Sequence, residues 1–243
     1  MGQWGDGKMS GLIESAAAIL SASESRLEVA AHNVSNSSTP GFKRQIGFSQ
    51  LLATRGADIA QQVAVRRDFA QGKLSPSGNP LDIAVSGSGF FQLRAGDATL
   101  YSRQGQFSRA ADGTVVTPQG YVLQQAGGGD LVLDHADVKI LEDGTVLDGG
   151  VPVAKLAVFA PADTAALQPV GESAFAMPGG GAMDLVPDAV LRQGMVENSN
   201  VAIGDEMVTM MTALRQSEGG ARLVQVYDDL LGRALSTLGQ SGK

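Results

Sequence analysis

Apolar residues recur at helical spacing at both ends of the chain, and short apolar runs fill the middle. Residues 9–36 carry apolar side chains at intervals that suit one face of a helix. Strict a/d spacing, the 3.5-residue period of a coiled coil, holds at Ile13, Ala16, Leu20, Ser23, Leu27, Ala30 and Val34. The pattern predicts a long N-terminal helix, which the turn-forming residues 35–41 end.

Residues 201–238 predict a second long helix with a similar apolar seam. Its a/d positions are Met207, Met210, Leu214, Ser217, Ala221 and Val224, and after a shift of register at Asp228 the seam continues through Tyr227, Leu231, Ala234 and Leu238. Gly219-Gly220 in its middle weakens the helix by up to about 1 kcal/mol per glycine. Because both seams are thin, we expect the two helices to pair with each other. We expect the remaining small-residue faces to meet partners outside the chain.

Between the helices, turn residues separate short apolar runs. From residue 81 to residue 160 the runs recur about every 8–12 residues, as in an antiparallel all-β domain. Asp112-Gly113 and Asp143-Gly144 are typical of hairpin turns. The predicted fold class is α+β, with long N- and C-terminal helices that pair as a coiled coil and an inserted antiparallel all-β domain.

These patterns divide the chain into segments. The N-terminal helix occupies residues 9–42, a linker 43–77, the β domain 78–188, and the C-terminal helix 189–243. Residues 1–8 hold no hydrophobic signal core, and they are a tag or a mis-assigned start if Met9 is the native first residue. The sequence alone leaves Met1 and Met9 both open.

The composition argues against several classes of function. The 243 residues include no Cys and two His, which excludes thiol chemistry and disfavours a His-based triad or a multi-histidine metal site. The net charge of −7 argues against a nucleic-acid or anionic-membrane surface. With no stretch of 18 apolar residues, no membrane insertion is expected.

Three small motifs have a chemical interpretation, and for each a structural one is preferred. Gly87-Ser88-Gly89 precedes a strand-like run rather than a helix, so we predict a tight turn and not a phosphate site. His32 lies near the end of the first helix, where a helix-end hydrogen bond accounts for it. His135 beside Asp134 and Asp137 is a weak metal signal. We therefore predict no catalytic, cofactor-binding or metal-binding residues.

Some charged residues leave alternatives open. Lys43-Arg44 and Arg66-Arg67 fall in the linker, where we expect solvated side chains or contacts with acidic neighbours. Asp112 and Asp143 would be the carboxylate pair of an enzyme, but their places before Gly are explained by turns alone. A surface ligand-binding β module is a third hypothesis beside the enzyme and the assembly subunit.

The end of the first helix carries a motif that resembles a known family. Asn-Val-Ser-Asn-Ser-Ser-Thr-Pro-Gly-Phe-Lys at residues 33–43 resembles the signature of bacterial flagellar rod and hook proteins, Asn-Asn-Leu-Ala-Asn, two variable residues, Thr, one variable residue and Gly-Phe-Lys. The matching positions are Asn33, Asn36, Thr39, Gly41, Phe42 and Lys43. His32 stands where the first Asn is usual, and Ser35 replaces Ala.

Two further blocks resemble the same family in the same order. Residues 78–91 resemble its entry into the β domain, followed by Tyr101-Ser102-Arg103, Gly105-Gln106-Phe107 and residues 112–121. Residues 193–201 resemble the approach to its C-terminal helix, with Glu206-Met207-Val208 and Met210 after them. The length and the 46 residues from Arg44 to Gly89 favour a proximal rod subunit, with the distal rod subunit as the alternative.

The resemblance implies a non-enzymatic subunit of a helical tube, without cofactors. Its partners would be other copies of itself, other rod proteins and the flagellar export apparatus. Members leave the cell through that apparatus without a cleaved signal and lie in the basal body, in the rod that spans the periplasm. Their terminal helices form an axial core domain. The expected assembly seam here is Ile13, Leu20, Leu27, Val34, Met207, Met210, Leu214, Val224 and Leu231.

Overall fold

A long helix lies at each end of the chain, and strands fill the region between. The computed structural model describes residues 6–53 and 59–240. Within them, helix α1 spans Asp6–Ser35 and helix α2 spans Ile203–Gln240. The α+β class is confirmed. Residues 1–5 lie outside the described part of the chain, whereas residues 6–8, expected to precede the helix, belong to α1.

The chain divides into two compact units. The first comprises residues 1–34, 45–66 and 202–243, and the second residues 35–44 and 67–201. The segment 43–77, expected to be a linker, contains strands β1 (Gln45–Ala53), β2 (Ile59–Arg67) and β3 (Leu74–Pro76). Strands β1 and β2 form a two-stranded sheet. The described residues of this segment therefore include three strands.

In the first unit, α1 and α2 approach closely at a glycine. Gly220 is buried, and a Cβ at this position would lie 3.1 Å from Leu20 Cγ and 3.4 Å from Ile19 Cγ2. Elsewhere along the two helices, Arg26 Nη1 donates a hydrogen bond to Gln216 Oε1 at 2.8 Å. As the residue number rises on α1 it falls on α2, so the two helices run antiparallel where they meet.

Each helix has a line of buried residues, most of them small, whereas several large apolar residues are exposed. Buried residues recur every seven positions at Ala16, Ser23 and Ala30 on α1, where Ala22 and Asn33 are also buried, and at Glu206, Ala213 and Gly220 on α2. Ile13, Met207 and Leu214 are 42%, 53% and 49% exposed. Small side chains permit the closest approach of helix axes, which accounts for the burial of Ala16, Ser23, Ala30, Ala213 and Gly220. The expectation that the remaining small-residue faces meet partners outside the chain stays a prediction.

The second unit contains short strands from β3 onward. They are β4 (Ile83–Ser86), β5 (Phe90–Ala95), β6 (Ala98–Ser102), β7 (Ser108–Arg109), β8 (Val115–Val116), β9 (Val122–Leu123), β10 (Val138–Ile140), β11 (Thr145–Asp148), β12 (Val151–Lys155), β13 (Val158–Pro161), β14 (Gln168–Val170), β15 (Ala174–Ala176), β16 (Met183–Leu185), β17 (Val190–Gln193) and β18 (Met195–Glu197). All the pairings among these strands are antiparallel, as the sequence predicts.

Strand β5 lies at the centre of the largest sheet. The strand order of this sheet is β14-β15-β6-β5-β9-β8-β7, and β13 pairs with β5 and with β16. Leu93 of β5 faces Leu100 on one side and Leu123 on the other, and Phe91 faces Val158. All five side chains are buried in one core. Such cross-strand apolar pairs are the unit of sheet stability, so β5 holds the second unit together.

Smaller sheets and tight turns complete the second unit. Strands β10, β11 and β12 form one sheet, and β4–β17 and β3–β18 are separate pairs. Asp112-Gly113 joins β7 to β8, and Asp143-Gly144 joins β10 to β11, which confirms both hairpin turns. Each carboxylate accepts hydrogen bonds from the backbone and hydroxyl of the Thr two residues later. Gly87-Ser88-Gly89 is a tight turn between β4 and β5, with a φ of +98° at Gly87.

The neighbouring glycines of α2 give a matched test of the helix contact. Replacing either with Ala gains helix propensity, worth up to about 1 kcal/mol. Gly219→Ala should realise this gain, because no atom lies within 4 Å of a Cβ at that position. Gly220→Ala should gain much less, because its Cβ meets Leu20. Urea unfolding followed by the helical circular dichroism signal measures both, and equal gains would contradict the close approach of the helices.

A buried ionic junction as the candidate functional site

Three charged side chains from distant parts of the sequence meet inside the second unit. Glu197 Oε1 lies 2.6 Å from Lys43 Nζ, and Glu197 Oε2 lies 3.0 Å from Arg103 Nη1. The three side chains are 1–3% exposed. We call this cluster of Lys43, Arg103 and Glu197 the ionic junction. Charges removed from water in this way persist only when they are paired and hydrogen-bonded.

Backbone groups extend the hydrogen bonding of the junction, although the buried Arg103 Nε has no hydrogen-bond partner among the described residues. Lys43 Nζ donates to Ala70 O at 2.8 Å, and the Gly72 amide donates to Glu197 Oε1 at 2.9 Å. Arg103 Nη2 donates to the Gly87 carbonyl at 2.5 Å. The junction therefore holds the chain at Ala70, Gly72 and Gly87 as well as at its own three residues.

The electrostatics of the junction are unbalanced by one charge. Two cations surround one carboxylate, and burial lowers the pKa of both Lys43 and Arg103, against the opposing effect of Glu197. The Arg103 guanidinium also lies 5.5 Å from the centre of the Phe90 ring, in a cation–π contact. Both buried cations therefore share one ion-pair partner, the carboxylate of Glu197.

The Gly-Phe-Lys signature gives the backbone its path into the junction. Gly41 has a φ of +71°, and a Cβ there would lie 2.4 Å from the Gln104 nitrogen, so a larger residue does not fit. The Gly41 amide donates to the Glu197 carbonyl at 2.8 Å. Phe42 is fully buried, with the Arg67 guanidinium 5.4 Å from its ring centre. Glycine and phenylalanine thereby place Lys43 next to Glu197.

The polar half of the signature shapes the turn before it. Thr39 donates from Oγ1 to Asn36 Oδ1 at 3.1 Å, and its amide donates to the Asn36 carbonyl at 3.1 Å. Asn33, in the first unit, is fully buried and binds the backbone of Gln45 twice, through its Nδ2 and its Oδ1, each at 2.8 Å. These asparagines therefore serve chain geometry.

Two residues beside Glu197 extend the same network. The Asn200 side chain accepts from the Arg44 amide at 2.7 Å and donates to the carbonyls of Asp68 and Ala70. Asn198 Nδ2 donates to Ser75 Oγ at 3.0 Å. The approach to α2 is thus bonded to the segment that follows the signature.

The structure brings some of the expected residues together and separates others. Lys43, for which a solvated side chain was one of the two expectations, is fully buried, and the alternative of an acidic neighbour is confirmed. Sequence reasoning did not single out Glu197 or Arg103. The signal available was that each lies in one of the blocks that resemble the family. Nothing in their spacing indicates that they pair.

The expected seam residues are at most partly buried. Ile13, Met207 and Leu214 are exposed, and the others are intermediate: Leu20, Leu27, Val34, Met210, Val224 and Leu231. The assembly role of this seam stays a prediction.

The remaining candidates are the two histidines. His32 lies in the last turn of α1. The His135 ring is 3.1 Å from Asp148, which also accepts the amides of Asp134 and His135. Over the described residues, no group of three His, Asp or Glu side chains is arranged to hold a metal ion. Within the same ranges, no helix is long and apolar enough to cross a membrane.

The junction predicts that replacing its carboxylate lowers the stability of the second unit more than replacing one of its cations. Glu197→Gln should destabilise the second unit by about 3–5 kcal/mol, because it removes the ion-pair partner of two buried cations. Lys43→Met should cost less, because the remaining Glu197–Arg103 pair is balanced. Calorimetric unfolding of the full-length variants measures this difference. A Lys43→Met variant as unstable as Glu197→Gln would contradict the central role of the carboxylate.

Three protein-family models match separate parts of the chain. One for flagella basal body rod proteins matches residues 13–43, one for the flagellar hook protein FlgE/F/G D1 domain matches 84–147, and one for the flagellar basal body rod FlgEFG protein C-terminal region matches 192–237. Each of the three matched regions contributes one member of the ionic junction.

Curated relatives match along nearly the whole chain. The flagellar basal-body rod protein FlgF of Caulobacter vibrioides is 28% identical over 225 residues, covering 88% of this chain and 92% of the relative. The flagellar basal-body rod protein FlgG of Agrobacterium fabrum is 32% identical over 250 residues, covering 88% of this chain and 94% of the relative. FlgF of Rhizobium meliloti is 28% identical over 226 residues, covering 90% and 93%. The chain belongs to the family of flagellar basal-body rod and hook proteins.

Proposed function

We propose that this chain is a structural subunit of the flagellar rod and polymerises into a helical tube through α1 and α2. One observation carries the proposal. Helix α2 is 38 residues long and leaves large apolar side chains uncovered, including Met207, Met211 and Leu214, which are 49–61% exposed. Contiguous exposed apolar groups of this kind mark an interaction surface. The assembly seam is the set of apolar residues already named on both helices.

The intrachain contacts support a coiled-coil pairing of α1 and α2. Leu20 packs on Gly220, and Arg26 bonds to Gln216, in antiparallel order. Three buried residues on each helix recur at seven-residue intervals, the period of a coiled coil. This pair forms the axial core domain, and its uncovered apolar face meets neighbouring subunits.

The length of the alignments supports a subunit of the proximal, FlgF type. Both FlgF of Caulobacter vibrioides and FlgG of Agrobacterium fabrum align with 88% of this chain, but over 225 and 250 positions respectively. The longer alignment needs more gaps for the same residues. The short segment between Arg44 and Gly89 supports the same assignment. A distal rod subunit of the FlgG type is the alternative.

The setting of the proposed subunit follows from this role. It lies in the basal body, in the rod that spans the periplasm, and is exported by the flagellar apparatus without a cleaved signal. Its partners are other copies and other rod proteins, and its function needs no cofactor, nucleic acid or membrane insertion. The role is structural and not enzymatic.

Replacing an exposed seam residue should block assembly without unfolding the chain. In Met207→Asp, an uncovered side chain becomes charged, which the isolated chain tolerates but a buried subunit contact does not. We expect normal unfolding of the purified variant. In cells that lack the native copy, we also expect loss of motility and loss of the variant from isolated basal bodies. Val151→Asp, at a residue of β12 that is 62% exposed, is the control. Motile cells with Met207→Asp would contradict the proposed seam.

A further inference from the structure

A groove on the first unit contains a glycine that no intrachain contact explains. The groove has a volume of about 430 Å³ and is lined by Ile19, Ala22, Arg26, Gln216, Gly219, Gly220 and Leu223. Gly220 is explained by its contact with Leu20, but a Cβ at Gly219 would meet no atom within 4 Å. A helical glycine lowers helix stability by up to about 1 kcal/mol. At Gly219 the absence of a side chain leaves open space beside the buried residues of α2.

Met207 and Leu214 lie on the opposite side of the buried line of α2 (Glu206, Ala213 and Gly220) from Gly219, whereas the exposed Leu223 lines the groove. Successive helix residues are about 100° apart. Met207 and Leu214 each directly follow a buried residue, Glu206 and Ala213. Gly219 directly precedes the buried Gly220. Helix α2 therefore presents apolar side chains about 100° to one side of its buried line and open space about 100° to the other side.

The charges at the two surfaces are complementary. Arg26 lines the groove and spends one guanidinium donor on Gln216, which leaves further donors at the rim. Glu218 follows Leu214 by four residues, so it lies on the same helix face one turn further on, and it is exposed. An apolar residue followed by a carboxylate fits an apolar groove with a cationic rim.

We propose that the groove beside Gly219 receives Leu214 of a second copy of this chain, with the second copy's Glu218 opposite Arg26. The proposal rests on the rod function proposed above and names the contact between subunits. A helical polymer needs a head-to-tail interface, in which two different patches of each subunit meet. The groove and the Leu214 face are two such patches on one helix, and their chemistry is complementary. The occupant is therefore a second copy rather than an unrelated partner.

Disulfide trapping tests the contact directly, because the chain has no cysteine. Leu214→Cys and Gly219→Cys are made as separate full-length variants and produced together in cells that lack the native copy. Basal bodies isolated after mild oxidation should contain a disulfide-linked dimer that requires both variants, since a disulfide forms only when the Cβ atoms come within about 4.5 Å. Val151→Cys with Leu214→Cys is the control and should give no dimer.

A second experiment keeps the test independent of cysteine geometry. Gly219→Gln fills the groove, and Gly232→Gln is the matched control, because Gly232 is an exposed α2 glycine with no atom within 4 Å and does not line the groove. We expect roughly tenfold less incorporation into basal bodies for Gly219→Gln alone, equivalent to about 1.4 kcal/mol. Arg26→Glu should also reduce incorporation, and adding Glu218→Arg to the same chain should restore it.

The outcomes separate this contact from the rod function. If the native chain restores motility but the trapped dimer is absent, or forms only with a different rod protein, the groove contact is wrong and the rod function stands. If the native chain itself fails to enter basal bodies, the rod function is wrong. Equal incorporation of Gly219→Gln and Gly232→Gln would also overturn the groove contact.

Discussion

A single buried carboxylate, that of Glu197, determines how the second unit closes. Its two cations come from positions 154 and 94 residues away in the sequence. None of the three charges is tolerated alone in the interior, because desolvation of an unpaired ion is very unfavourable. The segments that carry them are therefore stable only together. Contacts of such long sequence separation make folding cooperative and also slow, because distant segments must meet before any contact is rewarded.

The junction supplies geometry more than net stability. Apolar residues of similar volume often replace a buried ion pair without loss of stability. Charged hydrogen bonds, however, are short and directional. Those of Lys43, Arg103 and Glu197 reach the backbone at Ala70, Gly72 and Gly87, so each segment has one allowed position. In a polymer, any deviation in the conformation of the subunit recurs in every copy. Directional hydrogen bonds at the junction keep that deviation small. In the proposed function, this precision is the reason that the subunit holds charges in its interior.

Local features of the fold were predictable from the sequence, and long-range ones were not. The helices follow from a 3.5-residue period and the hairpin turns from Asp-Gly pairs, because each depends on neighbouring residues. The burial of Lys43 depends on Glu197, which lies far along the chain. No periodic pattern in the sequence predicts that pairing. On α2 the period was right, but the buried stripe lies one residue before Met207 and Leu214. The predicted stripe combined large apolar residues with Ser217 and Ala221, whereas the buried positions are Glu206, Ala213 and Gly220.

The residues that α1 and α2 bury limit how much the two helices stabilise each other. Helices that bury Ala, Ser and Gly gain little from each other, since the free energy of burial scales with apolar area. In the proposed function, their larger apolar groups make contacts that exist only after assembly. A chain of this kind gains helix stability by mass action, as neighbours bind the folded helices and not the unfolded ones. Gly219 fits the same logic, because a residue that weakens the isolated helix leaves room for a neighbour. Residues that break local rules of stability are expected where function requires it.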